Sequence, residues 1–181
     1  MRKMKNHIPS LARVGWVGCV VCAVALLAGS CSSSSGKGEG PEPQGPSGAE
    51  LYNLISQTDP FELWGQFPLA EGTIESSPPH GPFSNVFVNE QVEAALASPT
   101  GTLPNGSIIV KESFDGNMVE AGDSLAVMWK VEDFDPGNSD WFWANFTFDG
   151  RIVGEGKIAG CINCHGAARD NDFVFLQPLL P

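Results

Sequence analysis

A pentapeptide near the carboxyl end, Cys161-Ile162-Asn163-Cys164-His165, constrains the fold of this chain most. In a C-x-x-C-H motif, two thiols add across the two vinyl groups of haem while the adjacent imidazole reaches the iron. A thioredoxin-like dithiol would need a βαβ setting that is absent here, and a zinc site would need a second pair of ligands. The motif therefore predicts one covalently bound haem c per chain, attached at Cys161 and Cys164 and ligated by His165.

The amino terminus has the pattern of a bacterial export signal. The first thirty residues contain no acidic residue and four basic ones: Arg2, Lys3, Lys5 and Arg13. An apolar run over residues 14–28 follows and ends in small residues directly before Cys31. This order is typical of a secretory signal, not of a transmembrane span. We predict a lipoprotein signal peptide over residues 1–30, cleaved before Cys31.

Cleavage there leaves Cys31 as the new terminal residue, which takes lipid in a bacterial lipoprotein. The prediction is an exported, membrane-anchored lipoprotein that faces the periplasm or the cell exterior. The alternative is simple cleavage into the periplasm. Cys19 and Cys22 leave with the signal, so only the two motif cysteines remain beside Cys31 and no disulfide is expected.

The rest of the chain divides into a tether and a domain. Residues 31–48 are mostly Ser, Gly and Pro, which cannot bury enough apolar surface to offset the entropy lost on ordering. They are predicted to form a flexible tether behind the lipidated cysteine. Residues 49–181 are long enough to form one hydrophobic core and are predicted to be the haem domain.

The mature chain is strongly acidic. Loss of the signal removes four of the ten basic residues and none of the 21 acidic ones, so the formal charge is minus fifteen. This charge makes nucleic acid an unsuitable partner. It would attract a basic electron-carrying cytochrome, although solubility outside the cell is a simpler explanation for it.

Hydrophobic periodicity predicts an α+β fold. Apolar residues at helical spacing predict helices over 49–57 and 91–97, the second capped by Asn89. Strands are predicted over 86–88, 107–114, 124–131, 140–148 and 152–158. Because the connections are short and hairpin-like, we expect a predominantly antiparallel sheet with flanking short helices around the one covalently bound haem.

One lysine lies in a strand that is otherwise suited to burial. Alternation over 107–114 places Ile109, Lys111 and Ser113 on one face and the intervening residues on the other. Lys111 therefore points either into the haem-filled interior or to solvent from an edge strand. In an apolar interior, desolvation disfavours the charged ammonium and leaves the neutral amine, which is the nucleophilic form.

The sixth coordination position of the iron decides between electron transfer and chemistry on a bound ligand. The candidate ligands are His80, Met118 and Met128. Met128 lies in an apolar strand, Met118 in a Gly/Asn loop and His80 in a Pro-rich stretch, and none has a context that secures an axial ligand. The sequence therefore favours an open distal site.

Several motifs of the domain occur together in a known family. They are His80-Gly81-Pro82-Phe83, the segment Leu103 to Glu112, the tract Asp135 to Trp141, the haem motif and Asp172-Phe173-Val174-Phe175. In this order, over essentially the whole domain, the chain resembles the cytochrome P-460 family. The resemblance implies a homodimer and a five-coordinate haem with His165 as proximal ligand. It also implies a lysine bonded to a carbon of the porphyrin ring, and Lys111 occupies that lysine's motif.

The distal side differs from that of the family members that oxidise hydroxylamine. Those members are associated with a distal carboxylate, and the motif alignment places Ala126 at its position. Glu120 and Asp123 precede the predicted strand, where they are more simply solvated loop residues. An apolar distal wall of Phe83, Ala126 and Met128 is instead similar to the related cytochrome c-prime-beta proteins, which bind nitric oxide and similar gases.

These features predict redox chemistry on a small nitrogen compound, hydroxylamine or nitric oxide. A gas-binding or scavenging module is the first alternative, because a neutral diatomic ligand needs no proton relay. A plain electron carrier with a histidine or methionine as sixth ligand is the second.

Overall fold

The centre of the domain is an antiparallel sheet of seven strands. The computed structural model describes residues 45–98 and 100–175, with the backbone alone at 120–124. The strands are β1 (Gly65–Gln66), β2 (Ile74–Glu75), β3 (Phe83–Val88), β4 (Ile108–Phe114), β5 (Glu120–Lys130), β6 (Trp141–Phe146) and β7 (Ile152–Gly156). Their order is β1-β3-β4-β5-β6-β7, and β2 also pairs with β3. The predicted α+β class is confirmed.

Three short α-helices flank the sheet. They are α1 (Gly48–Asn53), α2 (Glu90–Ala97) and α3 (Ala159–His165). Helix α1 continues into a π-helical turn (Leu54–Thr58), so the single helix predicted over 49–57 changes type part-way. Helix α2 begins as predicted, because the Asn89 side chain accepts a hydrogen bond from the backbone N–H of Val92. Short 3-10 segments are Phe61–Leu63, Pro136–Asn138 and Gly166–Asn171.

The strand register places four residues in one row across the sheet. Val86 pairs with Lys111, Lys111 with Ala126 and Ala126 with Asn145. Directly paired residues point to the same side of a sheet, so these four residues define one face, here named the Lys111 face. Lys111 lies in β4 between β3 and β5, which contradicts the edge-strand alternative.

Both faces of the sheet are buried, which explains why β6 is apolar almost throughout. The opposite face packs against α1 in a cluster that contains Leu51, Ile55, Val110, Val127, Phe142 and Phe146. The Lys111 face carries a second cluster, which contains Val88, Val92, Leu96, Ile109, Met128 and Trp143. Ile158 and Ile162 pack on this second cluster and bring the motif helix α3 onto the Lys111 face.

Two strands are longer than the sequence predicted. Strand β3 begins at Phe83 instead of 86, because β2 and β4 pair with its first residues. Strand β5 begins at Glu120, which pairs with Phe114, so the backbone at Glu120 and Asp123 belongs to a strand and the predicted loop is wrong. Hydrogen bonding to a neighbouring strand extends both elements beyond their apolar pattern.

The predicted signal peptide, Cys31 and most of the tether lie outside the described residues. Among the residues that are described, no helix is long and apolar enough to cross a membrane.

Candidate haem site

Helix α3 presents the two motif cysteines as free thiols. Cys161 is half-buried and Cys164 is exposed. Burial raises the pKa of the Cys161 thiol, whereas a hydrogen bond with the Asn145 side chain lowers it. Because Asn145 belongs to the row of Lys111, this contact ties the motif to the Lys111 face.

The imidazole of His165 is held through one of its two nitrogens. Nδ1 lies 2.8 Å from the carbonyl oxygen of Phe173, a contact in which Nδ1–H donates. Burial lowers the pKa of His165, and this effect outweighs the opposing hydrogen bond to Phe173. The ring is therefore neutral near pH 7 with its proton on Nδ1, which leaves Nε2 free for a metal.

The carbonyl that holds His165 belongs to an unusual turn. Asp172 has a φ of 53° and Phe173 a φ of 65°, so two successive non-glycine residues are left-handed. Such a conformation costs about 1–2 kcal/mol per residue. Contacts elsewhere must offset this cost, and the sequence pattern alone does not reveal the turn.

Aromatic rings surround His165. The ring centroid of Trp143 lies 4.9 Å from that of His165, that of Phe175 5.1 Å and that of His80 6.3 Å. The placement of Trp143 beside His165 fits a wall of the haem site.

Lys111 is half-buried on the face that carries His165. Burial lowers the pKa of the Lys111 ammonium, and its charge lowers the pKa values of His165 and His80. The amine forms no ion pair with any side chain in the described part of the chain. Of the two orientations that strand alternation left open for Lys111, the central position of β4 favours the inward one.

The predicted distal residues do not all reach this face. Ala126 pairs directly with Lys111, and Met128 lies in the cluster on the same side of the sheet. Phe83 shares a strand face with Phe87, which packs in the opposite cluster, so the structure places Phe83 on the side of the sheet away from Lys111 and corrects its predicted distal role. Met118 is 49 % exposed in the turn between β4 and β5, away from the core clusters.

The loop that carries His80 is held by backbone hydrogen bonds, which keep His80 close to His165. The backbone N–H of His80 donates to the carbonyl of Ser77, and that of Ser76 donates to Pro82. Gly81 has a φ of +24° and lies against the Phe114 backbone, where a Cβ atom would clash. The loop therefore directs the His80 ring towards the motif helix.

The environment of His80 lowers its pKa to about 4. Burial is the largest cause, followed by the charges of Lys111 and His165. His80 is consequently neutral near pH 7.

This shift predicts how stability depends on pH in the haem-free domain. Between pH 6.5 and about 4, unfolded His80 binds a proton that the folded form does not. The part of the unfolding free energy that depends on His80 is therefore complete above pH 6.5 and is lost as the pH falls towards 4. The slope of the unfolding free energy against pH reports how many more protons the unfolded state binds than the folded state. His80→Asn should reduce this number by up to about one. Urea unfolding at several pH values measures it, and an unchanged slope would show that His80 titrates normally.

A model of the cytochrome P460 family matches residues 68–176, from the segment before β2 to just past the Phe173 turn. No curated protein matches the chain. The chain belongs to the cytochrome P460 family. Membership implies a haem cofactor and indicates a role with nitrogen compounds such as hydroxylamine.

The residues around α3 fit the haem of a cytochrome P460. The indole N–H of Trp143 is buried beside His165 and has no acceptor among the described residues. Two free thiols, a free imidazole nitrogen and a half-buried amine lie on the same side of the sheet. Each is an unused functional group that a polar, vinyl-bearing macrocycle with a metal centre would engage.

Three parts of this cytochrome P460 site were missed by sequence reasoning. They are the Phe173 carbonyl on His165, the Asn145 contact to Cys161, and Lys130, which pairs with Asp172. The ending Asp172-Phe173-Val174-Phe175 was noted only as a family motif. A signal was present for Lys130, since a charged residue in an apolar strand requires a partner.

Proposed function

We propose that this cytochrome P460 is an exported haem c protein that performs redox chemistry on hydroxylamine or nitric oxide at an open iron position. The observation that carries the proposal is His165, whose Nδ1 is committed to Phe173 while Nε2 remains free, on the face that holds Lys111. Cys31 would anchor the chain to a membrane, facing the periplasm or the cell exterior. The acidic surface suits a basic cytochrome as electron partner.

The chain's own residues would attach and orient the cofactor. The thiols of Cys161 and Cys164 each add across one vinyl C=C bond, so the sulfur bonds to one carbon and the thiol hydrogen goes to the other. No oxidant is consumed. His165 would supply the proximal nitrogen, and the Trp143 ring packs against its imidazole at an interplanar angle of 61°. When bound, the haem supplies an iron that exchanges electrons and binds a small ligand.

Ligand binding tests the proposed open position. The haem-loaded domain should bind carbon monoxide and nitric oxide in the ferrous state without loss of a protein ligand. It should also oxidise hydroxylamine with an artificial electron acceptor. Stopped-flow absorbance measures binding, and a low-spin ferrous spectrum unchanged by carbon monoxide would contradict the proposal.

A carboxylate at position 126 should strengthen hydroxylamine turnover. Ala126 pairs with Lys111 and Asn145, so the side chain of Ala126→Glu would extend from the Lys111 face. Proton transfer by a positioned side chain contributes about 10²-fold or more to a rate. We expect a rise of that order in kcat.

Ala126→Gln is the matched control, since it has nearly the same shape and cannot act as a base. If the wild type already turns over hydroxylamine and Ala126→Glu leaves the rate unchanged, the distal-acid argument is wrong. If only the Glu variant is active, the native protein is better described as a gas-binding module.

A second function, electron transfer, is favoured by the distance between His80 and His165. A second imidazole this close to that of His165 would be able to hold the same iron. The observed separation is 6.3 Å, and the ring planes are 86° apart. His80 would then be the sixth ligand and would compete with any substrate.

Electron paramagnetic resonance of the ferric protein separates the two functions. An open or water-bound iron gives a high-spin signal that His80→Ala does not alter. Ligation by His80 gives a low-spin signal that His80→Ala converts to high spin, with faster carbon monoxide binding. The second result would replace the proposed chemistry with electron transfer.

A further inference from the structure

Asp172 lies in the C-terminal segment and forms hydrogen bonds with four other residues. Its side chain is fully buried and accepts hydrogen bonds from Lys130 Nζ at 2.5 and 2.6 Å and from the Leu103 N–H at 2.8 Å. Its carbonyl oxygen accepts from Trp141 Nε1 at 2.9 Å, and its own N–H donates to the Arg169 carbonyl. Every polar group of Asp172 is thus engaged by another part of the chain.

Lys130 is committed to this carboxylate. Its side chain is 11 % exposed, and its ammonium lies 4.9 Å from the Trp141 ring centroid. Removing one partner of a buried ion pair leaves an uncompensated charge in the protein interior. The pair therefore holds Asp172 against the end of β5.

The next residue carries the carbonyl that contacts His165. Asp172 and Phe173 both have positive φ, and this turn points the Phe173 carbonyl at His165 Nδ1. A free chain would leave this conformation, because it is disfavoured for residues other than glycine. The ion pair of Lys130 and Asp172 thus stabilises the geometry of the hydrogen bond to the proximal histidine.

We propose that Lys130 and Asp172 are positioning residues that lower the reduction potential of the haem by holding the Phe173 carbonyl against His165. A hydrogen bond accepted from Nδ1–H makes the imidazole a more basic ligand, and a more basic ligand favours ferric over ferrous iron. The proposal rests on His165 as the haem ligand of the proposed function. It does not depend on the substrate or on the sixth ligand.

Lys130→Met separates this role from a simple charge effect. Loss of the lysine leaves a buried negative charge, which by electrostatics alone would favour ferric iron and lower the potential. Loss of the hydrogen bond between the Phe173 carbonyl and His165 would instead raise the reduction potential. We expect the ratio of ferrous to ferric haem at a fixed potential to rise about tenfold, which is about 59 mV for a one-electron couple.

Three variants accompany this measurement in the haem-loaded protein. Lys130→Arg keeps the charge and the donors and should retain the wild-type potential. Lys157→Met removes the same charge from the Lys157–Asp135 pair, 3.4 Å apart, in which the lysine is exposed, and should change the ratio less than twofold. Trp141→Phe keeps an aromatic ring but removes the donor to the Asp172 carbonyl together with part of the buried ring, and should raise the ratio by a smaller factor than Lys130→Met.

Spectroelectrochemical titration of these proteins decides the proposal. A lowered or unchanged potential in Lys130→Met overturns it. If Lys130→Met does not assemble, an unchanged or lowered potential in Trp141→Phe overturns it. A six-coordinate ferrous spectrum would contradict the proposed function and leave this test intact, because the potential is still measurable.

Discussion

Replacement of both Cys161 and Cys164 by serine, combined with Lys111→Arg so that no lysine-to-porphyrin bond can form, should abolish covalent haem attachment completely. Serine hydroxyls do not add to vinyl groups as thiols do, so no thioether can form. The intact mass of the product should fall by one haem, and acidified organic solvent should extract any haem that is still bound. The single variants should each retain one thioether at reduced yield.

Cys31→Ser is the matched control for this experiment. It removes the predicted lipid anchor and leaves the motif intact, so the protein should become water-soluble after export and keep its covalent haem. Covalent haem in the Cys161→Ser/Cys164→Ser/Lys111→Arg variant would contradict the assignment of the motif. Loss of haem in Cys31→Ser would show that attachment requires the membrane anchor.

Lys111→Arg should prevent the lysine-to-porphyrin bond that the family resemblance implies and shift the Soret band of the reduced protein to shorter wavelength. The cross-link joins the lysine nitrogen to a ring carbon in place of one N–H and one C–H hydrogen. Two electrons and two protons leave, and an oxidant such as peroxide must accept them. Burial lowers the pKa of Lys111 and so favours the neutral amine. A guanidinium stays protonated and cannot react.

Mass spectrometry of the haem peptides measures the cross-link directly. In the wild type, a peptide containing Lys111 should remain joined to the haem peptide, with a mass lower than the sum of its parts by two hydrogen atoms. Lys157→Arg should change neither the mass nor the spectrum, because that side chain is exposed. Unmodified Lys111 in the wild type, with an ordinary c-type spectrum, would contradict the cross-link.

Much of the fold could be predicted because its signals are local. The Asn89 cap and the alternation around Lys111 depend on neighbouring residues, and the structure confirms both. The added lengths of β3 and β5 come from pairing with partner strands, which leaves little trace in a single strand's pattern. Phe83 was misplaced for the same reason, since the face of a strand depends on its register with the next strand.

The sequence by itself determined the chemical groups of the site. The spacing of Cys161, Cys164 and His165 identifies the haem because thioether formation and axial ligation need those residues within one helical turn. Only the tertiary structure decided how these groups are held. The Phe173 carbonyl reaches His165 through a left-handed turn next to the distant Lys130, and the His80 ring lies 6.3 Å from that of His165, which no local pattern encodes. Backbone carbonyls and buried ion pairs act through positions in space, and residues far apart in the chain set those positions.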